Sequence, residues 1–460
     1  MSILRSARAV AAVAAFTLAA CEKNNFSDPA SPASLDAQVR QSIGQWGVVP
    51  ILPLAAQNAA QVELGRALFF DKVLSGNRDV SCATCHTAVT GTGDGLSLAV
   101  GTGGVGAGAS RVLGAGRQFV PRNAQSLFSV GLGGNYLFWD GRVSDGLGST
   151  TRFTTPAGTA LPFGLINVLA AQAMMPVTNR VEMRGQPGDR DVFGAANELA
   201  VPGDTQYTAI WQATMKRLLA IPEYVQKFNA AYPNSSIVQL GFQDAANAIA
   251  AFETQTFTKS NSRFDRYLAR DNSALTADEK QGALLFFGKA RCSQCHNGPF
   301  LGGQSFASVG VPQLGPGTGS FAPLDGGRED GFVPPGQKAQ ARFMFRIAPL
   351  RNVELSAPYF HDGVYATLEQ VVRHYSNADS ALRAFDPSTL PAALRASYHG
   401  DAATINALSL NLDFRLRPAI GLTPDEQKLL VAFLKSLTDP SARDLSGIVP
   451  ASVPSGLPIK

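Results

Sequence analysis

Cys82-Ala83-Thr84-Cys85-His86 and Cys292-Ser293-Gln294-Cys295-His296 are two copies of C-x-x-C-H, and the reading of the chain starts from them. The pattern is the attachment site of a c-type haem. Two thiols one turn apart add to the two vinyl groups, and the next residue turns its imidazole onto the iron from the same side. A single copy also fits a zinc half-site or a redox dithiol. Two copies, in a chain whose only other cysteine is Cys21, point to two covalently bound haem c groups. Cys82, Cys85, Cys292 and Cys295 are then the thioether donors, and His86 and His296 the proximal iron ligands. Disulfide pairing is the competing use of four cysteines in an exported protein, and the histidine after each pair argues against it.

Working outward, a faint repeat precedes the motifs. Leu64-Gly65-Arg66-Ala67-Leu68-Phe69-Phe70 stands before the first and Gln281-Gly282-Ala283-Leu284-Leu285-Phe286-Phe287 before the second. Both read as short helices whose aromatic ends cover a haem face. Thr276-Ala277-Asp278-Glu279 is a capping box opening the second of them, and Thr423-Pro424-Asp425-Glu426 opens a further helix that stops before Pro440. Strand signals are few. The expected class is mainly α: two cytochrome c-like haem domains with long loops and few short strands, spanning residues 51–265 and 266–445, with a tail over 446–460.

The 460 residues exceed one ordinary core. A hydrophobic share of 45% with 16% charged is globular, and the 45 glycines and 28 prolines suit long connections. A formal charge of only +4 without charge runs leaves no nucleic-acid footprint. Residues 1–21 read as an export signal. Arg5 and Arg8 precede an apolar stretch too short to span a bilayer, and Leu18-Ala19-Ala20-Cys21 has the form of a lipobox. Residues 22–50 read as a tether. The expectation is a periplasmic protein that touches the membrane only through a lipid anchor at Cys21.

Beyond the haem motifs, Pro121-Arg122-Asn123, Phe138-Trp139-Asp140-Gly141-Arg142, Asn179-Arg180-Val181-Glu182-Met183, Leu350-Arg351-Asn352-Val353 and Ala357-Pro358-Tyr359-Phe360-His361-Asp362-Gly363 follow one another as in the bacterial di-haem cytochrome c peroxidase family, which includes MauG. The chain resembles that family from about residue 64 to 437. The resemblance implies that hydrogen peroxide reacts at the N-terminal haem and that the C-terminal haem handles electrons. It puts Trp139 between the haems, and it matches Gln172 and Glu182 to the distal pair that holds peroxide and moves its proton. It also implies one Ca²⁺, on the side chain of Asn123 and the carbonyls of Ser356 and Pro358, hard oxygen donors suited to that ion. A small periplasmic donor, a cytochrome c or a cupredoxin, is the implied electron source.

The chain has five histidines: His86, His296, His361, His374 and His399. None lies between the two motifs, and residues 91–116, where many relatives carry a distal histidine, hold neither His nor Met. The N-terminal haem is therefore expected to be five-coordinate and open to peroxide. Between Arg142 and Gln172 the chain has an apparent insertion that includes residues 158–164. Counting from the Tyr359–Gly363 motif, the far side of the second haem falls on Tyr375, the residue type MauG uses, with His374 the competing ligand. A phenolate there lowers the potential relative to Met. His361 reads as structural and His399 as a surface residue. The leading function is a di-haem peroxidase. The alternatives are MauG-like oxidation of a tryptophan in a partner protein, against which Ala290 stands where MauG has a surface Trp, and a plain di-haem electron carrier.

Overall fold

The sequence repeat becomes two copies of one helix crossing. In the computed structural model, which describes residues 34–132, 134–146, 152–330, 333 and 335–459, helix Ala59–Phe70 packs on Phe242–Phe257, and helix Ala277–Phe287 on Pro424–Ser436. Gly65 and Gly282 sit at the two contact points. A Cβ on Gly65 would lie 1.9 Å from the Ala248 carbonyl oxygen, and one on Gly282 2.0 Å from that of Leu429. Only a residue without a side chain lets two backbones approach so closely. One turn further, Phe69 packs on Phe252 with ring centroids 5.2 Å apart, and Phe286 on Phe433 at the same 5.2 Å.

Local chemistry sets where these helices begin. The Asn58 side chain accepts from the amides of Ala60 and Gln61. Thr276 and Glu279 form the expected capping box, as do Thr423 and Glu426 with Pro424 in the first turn. Strand content among the described residues is two antiparallel pairs, Tyr136–Leu137 with Val143–Ser144 and Phe306–Ala307 with Phe345–Arg346. The class is mainly α, with long loops.

Two apolar cores are the largest among the described residues. The first gathers Leu64, Leu68, Leu169, Met174, Trp211, Phe228 and Ile249. The second gathers Phe264, Phe286, Leu368, Val372, Leu430 and Phe433. Phe264 and Tyr267 belong to the second core, so the division falls between Phe257 and Phe264 and not after residue 265.

The chain ends correct two expectations. Residues 34–50 are no tether: helix Leu35–Gly44, capped by Ser34, buries Val39 and Ile43 in the second core. Residues 446–460 are no loose tail. Val453 and Leu457 are buried, the Ile448 carbonyl accepts from Arg66 Nε at 2.7 Å, and Ser455 Oγ donates to Asp71 at 2.5 Å. Each end of the described chain thus packs on the unit to which its sequence neighbours do not belong. Residues 1–33, with the signal, the lipobox and Cys21, lie outside the described residues.

A buried ion network joins the two units. Arg122 donates to Asp140 at 2.6 Å and to both carboxylate oxygens of Asp325, at 2.6 and 2.8 Å. Burial opposes ionisation of Asp325, but the Arg122 guanidinium outweighs it and holds the carboxyl far below the usual range.

Candidate active site: two cavities with a common wall

The first motif forms a single helical turn, Cys82–Cys85, begun by Ser81, whose amide donates to Thr84 Oγ1 at 2.9 Å. His86 follows, and its Nδ1–H donates to the Thr92 carbonyl at 3.0 Å. The second motif repeats the device, with His296 Nδ1–H donating to the Leu301 carbonyl at 2.9 Å. Both acceptor residues sit in the left-handed region, Thr92 at φ 67 and Leu301 at φ 55. Such backbone persists only where the surroundings hold it, and it clusters at functional sites. Fixing Nδ1 orients each ring and reserves Nε2 for a metal.

Each motif opens into its own cavity. The first contains about 1240 Å³ of space not filled by protein and the second about 1780 Å³, both counted with the space open to solvent. No disulfide joins the four motif cysteines. Burial pushes Cys82 and Cys292 up to about 12, the reverse of the lowered values that activate redox dithiols and metal thiolates. Paired neutral thiols, an oriented imidazole and a large apolar space fit a haem bound through two thioethers in each cavity.

The first cavity also gathers Gln172, Glu182, Arg122, Arg142, Phe138 and Glu253. Glu182 lies in one turn of π-helix, Arg180–Arg184, capped by the Asn179 side chain, which accepts from the amides of Val181 and Glu182 at 2.9 and 3.1 Å. π-turns are rare and recur at functional sites. Burial pushes the Glu182 carboxyl up, and Arg142 and Arg122 pull it back only in part. Gln172 is carried by helix Val168–Ala173. The insertion before it ends in a clamp: Asn247 holds the Gly164 carbonyl at 2.9 Å and the Ile166 amide at 3.0 Å. Within residues 158–164 Phe163 is 98% exposed while Ala160 and Leu161 pack on the apolar core, and Gln172 still lines the cavity. His86 is the only histidine lining this cavity.

Asn123, Gln125, Ser126 and Trp139 line both cavities. Trp139 is pinned there, its indole Nε1–H donating to the Asn123 carbonyl at 3.0 Å and its own carbonyl accepting from the Arg346 amide at 2.7 Å.

In the second cavity Tyr375 lines the same space as Cys292, Cys295 and His296. His374 does not. Its Nε2–H donates to the Val309 carbonyl at 2.7 Å, so its Nδ1 accepts from the Tyr365 hydroxyl at 3.1 Å, and both ring nitrogens are taken. His361 is buried with its ring stacked on Phe345 at 3.6 Å, and it lines the second cavity. His399 is half-buried, and its Nε2 bonds the Gly315 carbonyl at 2.9 Å, so it is tied into the fold and not a free surface residue. Ser356 and Pro358 line the second cavity, and Asn123 gives its side-chain N–H to the Leu96 carbonyl at 2.7 Å, leaving its oxygen for another partner.

Three lining residues escaped the sequence reading. Met183, beside Glu182, faces the first cavity from the apolar core. Arg346 lines the second and donates to Gln125 at 2.9 Å. Glu253 was visible as a charged residue on an apolar helix face, but nothing in the sequence said what that face meets.

A profile of the family described as di-haem cytochrome c peroxidase matches residues 59–273. The cytochrome c551 peroxidase of Pseudomonas aeruginosa is 34% identical over 319 residues, 69% of this chain and 72% of that protein. The methylamine utilization protein MauG of Methylorubrum extorquens is 31% identical over 315 residues, 68% of each chain. Among solved structures, a MauG-like protein associated with microbial copper homeostasis aligns with a TM-score of 0.57 at 26% identity, over 88% of this chain and 97% of that one. The diheme peroxidase BthA of Burkholderia thailandensis, at 21% identity and a TM-score of 0.58 over 88% of this chain and 91% of that one, shares the fold. This chain belongs to the di-haem cytochrome c peroxidase family, and its two cavities are built to hold two haem c groups.

Proposed function

We propose that the protein reduces hydrogen peroxide to water in the first cavity, beside His86, with electrons relayed from the second haem past Trp139. One observation carries the reading: Gln172 and Glu182, brought from separate segments, line the cavity in which His86 is the only imidazole. The haem bound there supplies the iron that takes peroxide and exchanges electrons with it. The residues do the rest. The Gln172 amide hydrogen-bonds the peroxide. The Glu182 carboxyl moves one proton from the near oxygen to the leaving oxygen, which general acid–base catalysis rewards by about 10²–10⁴-fold. Its burial raises the proton affinity of the carboxylate, so that it can take the near-oxygen proton before giving it up. Met183 is assigned to packing, held among Met174 and Met175 in the apolar core. The first cavity would then offer peroxide a haem with His86 as its one protein ligand.

At the second haem we assign Tyr375 as the residue that would ligate the iron together with His296, since His374 spends both nitrogens on Val309 and Tyr365. Asn123, Ser356 and Pro358 are the proposed oxygen donors for one Ca²⁺. Electrons come from a small periplasmic donor, a cytochrome c or a cupredoxin. The protein is read as periplasmic and held to the membrane through Cys21. No helix among the described residues is long and apolar enough to cross a bilayer. A protein-tryptophan substrate is disfavoured, because Ala290 is neither aromatic nor exposed.

Resting-state electron paramagnetic resonance with stopped-flow peroxide mixing tests the reading. One high-spin ferric haem is expected, with a rapid spectral change that Glu182→Gln slows by about 10²–10⁴-fold at unchanged haem content. Low-spin signals at both centres, or a Glu182→Gln variant as fast as the parent, overturn it.

A further inference from the structure

Helix Phe242–Phe257 turns into the first cavity a carboxyl that the proposed chemistry does not use. Glu253 is 8% exposed and lines that cavity together with Cys82, Val130 and Ile249. Among the described residues no cation pairs with it and no group donates a hydrogen bond to it, while Cys82 lies close enough to feel its charge.

The other titratable or charged groups lining the cavity come from three places: Cys82, Cys85 and His86 from the motif, Arg122 and Arg142 from the loops beside Trp139, and Glu182 from the π-turn. Helices Ala59–Phe70 and Val168–Ala173, which pack on the helix of Glu253, contribute no charged side chain to the lining. The two arginines act on Glu182 and not on Glu253, which feels burial alone. The two carboxyls of one cavity thus have different surroundings, the arrangement that separates roles in acid–base sites. Burial pushes Glu253 up to about 8, so its charge is poised against small changes in the local field. It lines the same cavity as Cys82, through which the haem would be attached, and low dielectric there leaves a change of haem charge poorly screened.

We propose that Glu253 is the proton-coupling residue of the first haem: as one electron from the donor enters that cavity, the Glu253 carboxylate binds one solvent proton to become the acid, and it releases that proton when the electron passes on. Peroxide reduction to two waters consumes two electrons and two protons, and Glu253 keeps one such proton beside the redox centre while cancelling the added negative charge. The inference needs a haem attached at Cys82 and Cys85. It does not depend on the roles assigned to Gln172 and Glu182.

Spectroelectrochemical titration of the holoenzyme tests it from about pH 6 to about pH 10, either side of the Glu253 value of about 8. In the parent protein the potential of the first haem is expected to fall with rising pH, by up to about 59 mV per unit, the one-electron equivalent of a tenfold change. In Glu253→Gln that slope should be lost at the first haem, with the second unchanged, whereas Glu253→Asp should keep a slope with a displaced midpoint. A flat parent profile, or the same slope in parent and Glu253→Gln, overturns the proposal and hands any coupling to the haem propionates or Glu182. Should Glu253→Gln fail to mature with both haems, a reduced-minus-oxidised infrared difference spectrum of the parent decides. A protonated-carboxyl band must appear on reduction and shift in Glu253→Asp, and its absence sinks the idea. A slope that survives in an enzyme found low-spin at the first haem would remove the peroxide reading alone.

Discussion

Alanine at Gly65 or Gly282 tests whether the two haem units rest on one shared packing device. A Cβ at position 65 would lie 1.9 Å from the Ala248 carbonyl oxygen and 2.9 Å from Phe252 Cβ; at position 282 it would lie 2.0 Å from the Leu429 carbonyl oxygen and 2.8 Å from Phe433 Cβ. Ordinary contact begins at 3.4 Å, so each helix pair must part by about 1.5 Å. The obstacle is main chain, which cannot swing aside as a flexible side chain does. Overpacking costs about 1–3 kcal/mol, and a backbone clash beside tightly packed phenylalanines belongs at the top of that range. Alanine's better helix propensity returns up to about 1 kcal/mol. The net loss is about 2 kcal/mol, about 30-fold in the unfolding equilibrium. Gly44→Ala is the control, since a Cβ there meets nothing within 4 Å. Denaturant unfolding of the holoprotein, followed through the absorption of each haem, reads the outcome. Gly65→Ala should lower the midpoint at the first haem and Gly282→Ala the midpoint at the second, while Gly44→Ala stays within a few tenths of a kcal/mol. If the crossing variants behave like Gly44→Ala, close backbone approach is not what these glycines provide. If each lowers both transitions equally, the two crossings do not support separate units.

Three further outcomes follow from the geometry. Tyr375→Phe should alter the spectrum and potential of the second haem, whereas His374→Phe should disturb that spectrum less and cost about 1–3 kcal/mol of stability by stranding buried hydrogen-bond partners; the reverse pattern would make His374 the ligand. Asp325→Asn should destabilise the fold by about 3–5 kcal/mol, because Arg122 loses one of its two buried counterions. Since the folded Asp325 carboxyl is held below its unfolded value, its contribution is fully present above about pH 4 and is lost as the pH falls toward the folded value, so the variant's stability should decline less steeply in acid. Deleting residues 446–460 removes buried Val453 and Leu457, at about 1.5–3 kcal/mol each, together with the Ser455–Asp71 bond. Thermal melting should show the loss at the first haem, and an unshifted first transition would mean that the tail is bound loosely in solution.

What the sequence revealed and what it hid divide along physical lines. The haem motifs were legible because covalent attachment fixes the spacing of two thiols and an imidazole within five residues. The helix starts at Thr276 and Thr423 were legible because a capping box is written within four. Glu182 stood out through the motif around it, and its π-turn needs only the adjacent Asn179. By contrast, the placement of Val39 in the second core and of Leu457 in the first is set by surfaces hundreds of residues away, and short apolar stretches near the chain ends do not announce which surface they will cover. Glu253 is an intermediate case: a carboxyl on an apolar helix face is conspicuous, but its meaning depends on the cavity that face lines.

Tyr375 and His374 show the limit most sharply. As neighbours on helix Leu368–Ser376 they point about 100° apart, so the rotation that turns one toward the second cavity turns the other away. The sequence of the helix is compatible with either rotation. The choice is made from behind, where the Val309 carbonyl and the Tyr365 hydroxyl engage both nitrogens of His374. A buried imidazole without such partners would be costly, so these two groups, of which only Val309 lines the cavity, favour the rotation that turns Tyr375 toward it. Removing the Tyr365 hydroxyl should therefore disturb the second haem's spectrum without touching a residue that faces the haem.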